Sequence, residues 1–95
     1  MKVFCITFNS NTIARQVVLN YLDTLPSVLN WYAVFPGTVY IVSRADIYTL
    51  QEKLRIGFLV HDFIISEISG TTTGGYSNKE VWNFINSPKS SGRWE

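Results

Sequence analysis

Charge is scarce in this chain, and so are the residues that usually carry chemistry. Its 95 residues hold eight Lys and Arg against seven Asp and Glu, a formal net charge of +1, with one His and one Cys. That balance lacks the cationic excess that binding a phosphate backbone leaves in a sequence, so charge gives no indication of a nucleic-acid partner. A single thiol excludes an internal disulfide, and Cys5, set in an apolar run, reads as a small buried hydrophobe in a reducing compartment. One His, one Cys and seven scattered carboxylates supply neither a structural zinc set nor a Cys–His pair. Long apolar runs are missing too. The stretch after Met1-Lys2 stops at Phe8, before Asn9-Ser10-Asn11, short of a signal-peptide core or a membrane span. The expectation is a cytoplasmic protein that does not enter a membrane.

What the chain does have is apolar material: 46% of its residues are hydrophobic, and aromatic residues make up 15% of the chain. A single domain of this size buries about 60–65% of the surface its unfolded form exposes, enough to fold without metal or disulfides. Val3, Phe4, Cys5, Ile6 and Phe8 succeed one another almost unbroken, as in a central strand covered on both faces. Ser10, Asn11 and Thr12 are good N-caps, and Ile13, Val17, Val18, Tyr21, Leu22 and Leu25 recur at helical spacing up to Pro26. Val28 to Phe35 alternates as a second strand, with Leu29, Trp31, Ala33 and Phe35 on one face. Pro36-Gly37 turns the chain into the β-branched run Thr38 to Val42.

Ser43-Arg44-Ala45-Asp46 has capping-box spacing and introduces a helix marked by Ile47, Leu50 and Leu54, ending near Gly57. Phe63, Ile64, Ile65 and Ile68 give a fourth strand, preceded by His61-Asp62. A Gly-Thr loop follows, then a second capping box, Ser77-Asn78-Lys79-Glu80, and a short helix with Val81, Phe84 and Ile85 that ends before Pro88. Strand, helix, hairpin, helix, strand is the α+β, ferredoxin-like β-α-β-β-α-β arrangement with one additional C-terminal helix. Right-handed crossovers put the two main helices on one face of an antiparallel sheet of order four-one-three-two. Residues 1–88 form the domain and 89–95 a mobile tail. The other sheet face calls for a partner, and a homodimer is the simplest cover.

Three groups of residues are candidates for function. The end of the first strand and the start of the fourth bring Asn9 and Ser10 toward His61 and Asp62, an arrangement able to bind an anion or exchange protons. The alternative is a turn with solvated side chains, and adjacent strand residues point oppositely. Gly70, Gly74, Gly75 and Ser77 imitate a phosphate-binding loop between strand and helix. Tyr76 stands where that motif has lysine, which leaves at most a backbone nest for a small anion or nucleotide. Trp31, Tyr40 and Trp94 are candidates for a partner surface, Trp94 because tryptophan is an unusual residue to leave in water on a tail. Phe4, Phe8 and Tyr40 on the central strands raise base stacking, although the third strand lacks the basic, doubly aromatic signature of RNA-recognition motifs.

The Trp31 strand, the Thr-Val-Tyr-Ile-Val strand with Ser43 to Leu54, the strand Phe63 to Ile68, and Gly70-x4-Gly75-Tyr76 followed by Trp82 together resemble SinR-like small proteins. These are related to the ferredoxin-fold nucleases associated with CRISPR spacer acquisition. The resemblance covers about half the chain and implies fold and homodimerisation. In the nuclease family an aspartate ends the first strand, and paired subunits hold a divalent metal there. Here the position is Asn9, neutral and nearly isosteric, which removes both charges from such a site and weakens its grip on a hard cation. The expected function is therefore a non-catalytic homodimeric binding module for a protein or nucleic-acid partner, with no catalytic residue, metal ligand or cofactor assigned. The alternatives are a divalent-metal nuclease with an altered site, using Mg or Mn, and a small anionic ligand (nucleotide) binder or sponge acting through the Gly-Thr loop.

Overall fold

The computed structural model describes residues 1–94. Its elements are β1 (Lys2–Phe8), α1 (Arg15–Leu22), β2 (Asn30–Phe35), β3 (Thr38–Ser43), α2 (Ile47–Phe58), β4 (Phe63–Ile68) and α3 (Lys79–Asn86). The four strands form one antiparallel sheet of order β2-β3-β1-β4, which from its β4 side runs four, one, three, two. The two central strands are the most buried, as their apolar runs require.

Alternation along β1 divides the interior into two layers. Phe4, Ile6 and Phe8 share a face with Val39 and Ile41 of β3 and pack against Val18, Leu19 and Leu22 of α1 and Leu50, Leu54 and Phe58 of α2. Each such side chain, fully buried, contributes about 1.5–3 kcal/mol, so this is the main core. The rings of Phe8 and Phe58 meet edge to face at 5.7 Å. Helix α1 approaches α2 closely because Gly57 has no side chain where the Tyr21 ring lies, and the Tyr21 hydroxyl donates to the Lys53 carbonyl at 2.6 Å.

The sheet's second face is not bare. Val3, Leu29 and Val42 form a smaller buried cluster with Tyr40, Ile68 and Phe84 against it, and the Tyr32 and Phe84 rings lie 5.8 Å apart. Helix α3 thus covers one end of the face that the sequence reading left for a partner. Its apolar side, Val81, Phe84 and Ile85, needed a surface, and the ten residues from Ser69 to Asn78 carry the chain there.

Local details depart from the sequence reading for identifiable reasons. Helix α1 starts at Arg15 with no side-chain cap. The residues proposed to cap it are consumed in a turn: the Asn9 side chain accepts from the Asn11 N–H at 2.9 Å and the Asn9 carbonyl from Thr12 and Ile13. Asp46, rather than Ser43, caps α2, accepting from the Thr49 N–H at 2.8 Å. Ser43 is buried, and its hydroxyl accepts from the Ala45 N–H. Asn78 caps α3 one residue after Ser77, accepting from the Val81 N–H at 3.1 Å. A β-bulge between Ala33 and Phe35 breaks the alternation of β2. Phe35 accordingly leaves the face on which Trp31 and Ala33 pack on the main core and is exposed, while Leu29, which precedes β2, sits in the smaller cluster.

Candidate functional site

Strand register orders the α3 face of the sheet into three rows. Asn30, Val42, Val3 and Ile68 form the first, and α3 buries its central pair. Tyr32, Tyr40, Cys5 and Ser66 form the second, of intermediate cover on all but Ser66. Phe35, Thr38, Thr7 and Ile64 form the third. In that row Phe35 is 56% exposed and Ile64 72%, and Thr7 is exposed between them. Exposure therefore grows row by row away from α3, and two large apolar side chains stand in water at the far end.

The second row carries the chain's only thiol. Cys5 is half-buried, and burial pushes its thiol up, an effect partly opposed by its contact with the Thr7 hydroxyl at 3.7 Å. A thiol held protonated in this way is a poor nucleophile. Burial also raises the Tyr40 phenol, with Cys5 adding to the shift. Above this row, a cavity of about 130 Å³ lies between Val34, Phe35 and Tyr40 of the sheet and Gly74, Gly75, Tyr76 and Trp82. Tyr76 itself is fully exposed.

Four of the residues singled out from the sequence, Asn9, Ser10, His61 and Asp62, fall at this open end. Because Phe8 pairs with Phe63, Asn9 and Ser10 leave β1 where His61 and Asp62 enter β4, and the Phe8 N–H donates to the Gly37 carbonyl at 2.9 Å. The three chain segments do converge. Asn9, however, is engaged in its own turn through both side-chain and backbone oxygen, and no group of three or more His, Cys, Asp or Glu able to hold a metal exists among the described residues. In the Gly-Thr loop the Thr72 and Thr73 N–H groups both donate to the Ser69 carbonyl, so they are turned inward. Gly70 has a packing reason for its identity: a side chain there would collide with Asn86 of α3.

Trp31 faces the main core, and its indole N–H donates to the Asp23 carboxylate at 2.7 Å. Phe4 and Phe8 are buried beneath α1 and α2, so the base-stacking reading loses two of its three rings. Tyr40 alone of that trio is on the open side.

One constellation had no sequence signal, because its members lie 8 and 70 residues apart. Arg93 reaches the same Asp23 carboxylate at 2.8 Å and the Asp23 carbonyl at 3.2 Å. Nearby, the Ser91 N–H donates to the Leu29 carbonyl at 2.8 Å and the Asn30 side chain to the Lys89 carbonyl at 3.1 Å. The segment read as a mobile tail thus lies along the start of β2, with Trp94 41% exposed at its end; Glu95 is outside the described residues.

No helix among the described residues is long and apolar enough to cross a membrane. Comparisons of the chain with protein-family models, with curated proteins and with solved structures give no match.

Proposed function

We propose that this chain is a cytoplasmic, ferredoxin-like, non-catalytic homodimeric binding module of SinR-like type, and that its partner is a protein docked on the open end of the α3 face. The strand order supports the fold assignment. The observation that carries the function is the third row, Phe35-Thr38-Thr7-Ile64, where apolar side chains remain exposed beside half-covered Tyr40. Exposed apolar surface rimmed by polar groups marks sites of association. A protein fits better than a nucleic acid because the net charge is +1 and Phe4 and Phe8 are sequestered in the core.

The test is affinity capture from the native lysate, then binding measured with the captured protein in purified form. Thr7→Arg, at the centre of the row, is expected to weaken that binding about tenfold or more with the fold unchanged by circular dichroism. Equal binding by the variant overturns the reading. So does cleavage of labelled RNA or DNA with magnesium or manganese that Asp62→Asn abolishes, since that outcome belongs to the altered-nuclease alternative.

A further inference from the structure

The sheet's two edges are unlike each other. Edge strand β2 is obstructed twice: the tail occupies its start, where the Ser91 N–H takes the Leu29 carbonyl, and the bulge between Ala33 and Phe35 distorts its end. Edge strand β4 has neither device. Its six residues keep an unbroken register with β1 from Phe63 to Ile68, and no strand lies beyond it among the described residues. Natural sheets guard such edges with charge, proline, bulges or cover. Phe-Ile-Ile-Ser-Glu-Ile has one charge and no proline.

We propose that two copies of this chain join along β4, antiparallel about a two-fold axis at Ser66, and that the tail closes the β2 edge so that assembly stops at two. The inference rests on the homodimer reading above and names its interface. Pairing about Ser66 sets Ile64 of each copy opposite Ile68 of the other, apolar against apolar, on both sides of a small hydroxyl pair. Charge is compatible with it. Glu67 already has Lys2 of its own chain at 3.7 Å, and in this register the two Glu67 residues sit diagonally rather than face to face.

The flank of α2 beside β4 adds area. Leu50, Leu54 and Phe58 point into the core and Gly57 and Lys53 meet α1, which leaves Tyr48, Gln51 and Arg55 on the opposite flank, with Tyr48 74% exposed. A two-fold contact uses the same patch on both copies and is closed by its own symmetry. Were β2 equally free, β2-to-β4 pairing would be head to tail and open-ended.

Two measurements on the full chain test this. In a Cys5→Ser background, Ser66→Cys places one thiol per chain beside the axis. A disulfide-linked dimer is expected on mild oxidation, and Ile56→Cys, on the outer side of α2, should give none. Sedimentation of Ser91→Pro/Arg93→Ala, which lacks the N–H donor to Leu29 and the ion pair to Asp23, is expected to show species larger than the dimer. A wild type that is monomeric at tens of micromolar, an order-of-magnitude threshold for stable association, overturns both the homodimer reading and this one. A wild-type dimer with no cross-link at position 66 overturns the β4 interface alone. A double variant that remains dimeric overturns the role given to the tail.

Discussion

Replacing an exposed leucine by glycine is expected to make this protein more stable. Leu59 follows α2 with φ 55° and ψ −112°, and the His61 N–H closes the turn onto the Phe58 carbonyl at 2.9 Å. Those angles belong near the first central position of a type II′ turn, where glycine is the usual residue. A side chain held there stores strain on the order of 1–3 kcal/mol. Glycine relieves it while adding about 0.5–1 kcal/mol of unfolded-state entropy. Leu59 is 78% exposed, so its removal forfeits only about 0.5 kcal/mol of burial. The balance for Leu59→Gly is a gain of about 1 kcal/mol, or roughly 4–8 °C in Tm for a domain of this size. Urea unfolding followed by tryptophan fluorescence reads it as a higher midpoint at unchanged slope. Val60→Gly is the control, since Val60 lacks a positive φ and should lose about 0.5–1 kcal/mol. If Leu59→Gly falls below wild type at unchanged slope, the strain argument is wrong.

Two other changes probe the core and its acid limit. Gly57→Ala would ordinarily add up to about 1 kcal/mol of helix propensity, but the new methyl meets the Tyr21 ring; with an overpacking cost of about 1–3 kcal/mol and a weakened Tyr21–Lys53 hydrogen bond worth about 1 kcal/mol, a net loss is expected. Chemical denaturation of Gly57→Ala alone and together with Tyr21→Ala checks this, because the penalty should vanish when the ring is gone. Hydrogen bonding to the Thr49 backbone holds the Asp46 carboxyl below its ordinary range. Its contribution is therefore present above the unfolded carboxylate range near about 4 and is lost as pH falls through the lower folded value. Asp46→Asn, which keeps the acceptor without the titration, should flatten the acid side of a melting-temperature profile between about pH 5 and pH 2.

The strands and their order were legible because each rests on local chemistry: β-branched runs, Pro36-Gly37, and apolar density greatest where burial is greatest. The cap of α2 was legible to within one box, Asp46 being part of it. The side of the sheet that α3 occupies was not, since its apolar stripe would fit either face and the preceding loop is long enough to reach both. Asp23, Trp31 and Arg93 were equally hidden, because a carboxylate that gathers an indole and a guanidinium from remote positions leaves no spacing to read. At the candidate site, sequence brought Asn9 and Ser10 toward His61 and Asp62. The graded rows beside them depend on the bulge in β2 and on α3, neither of which has a local signature strong enough to place it.

Because Val3 and Phe4 are neighbours on one strand yet belong to opposite layers, the two interiors share backbone and little else. Loosening of the thin layer, with Phe84 lifting from Tyr32, would leave the leucines and phenylalanines beneath α1 and α2 in place while baring Val3, Val42 and Ile68 as an extension of the exposed row Phe35-Thr38-Thr7-Ile64. The extent of exposed apolar surface on this side is thus set by how firmly one eight-residue helix rests on its sheet, and loosening it costs the burial of the smaller cluster alone.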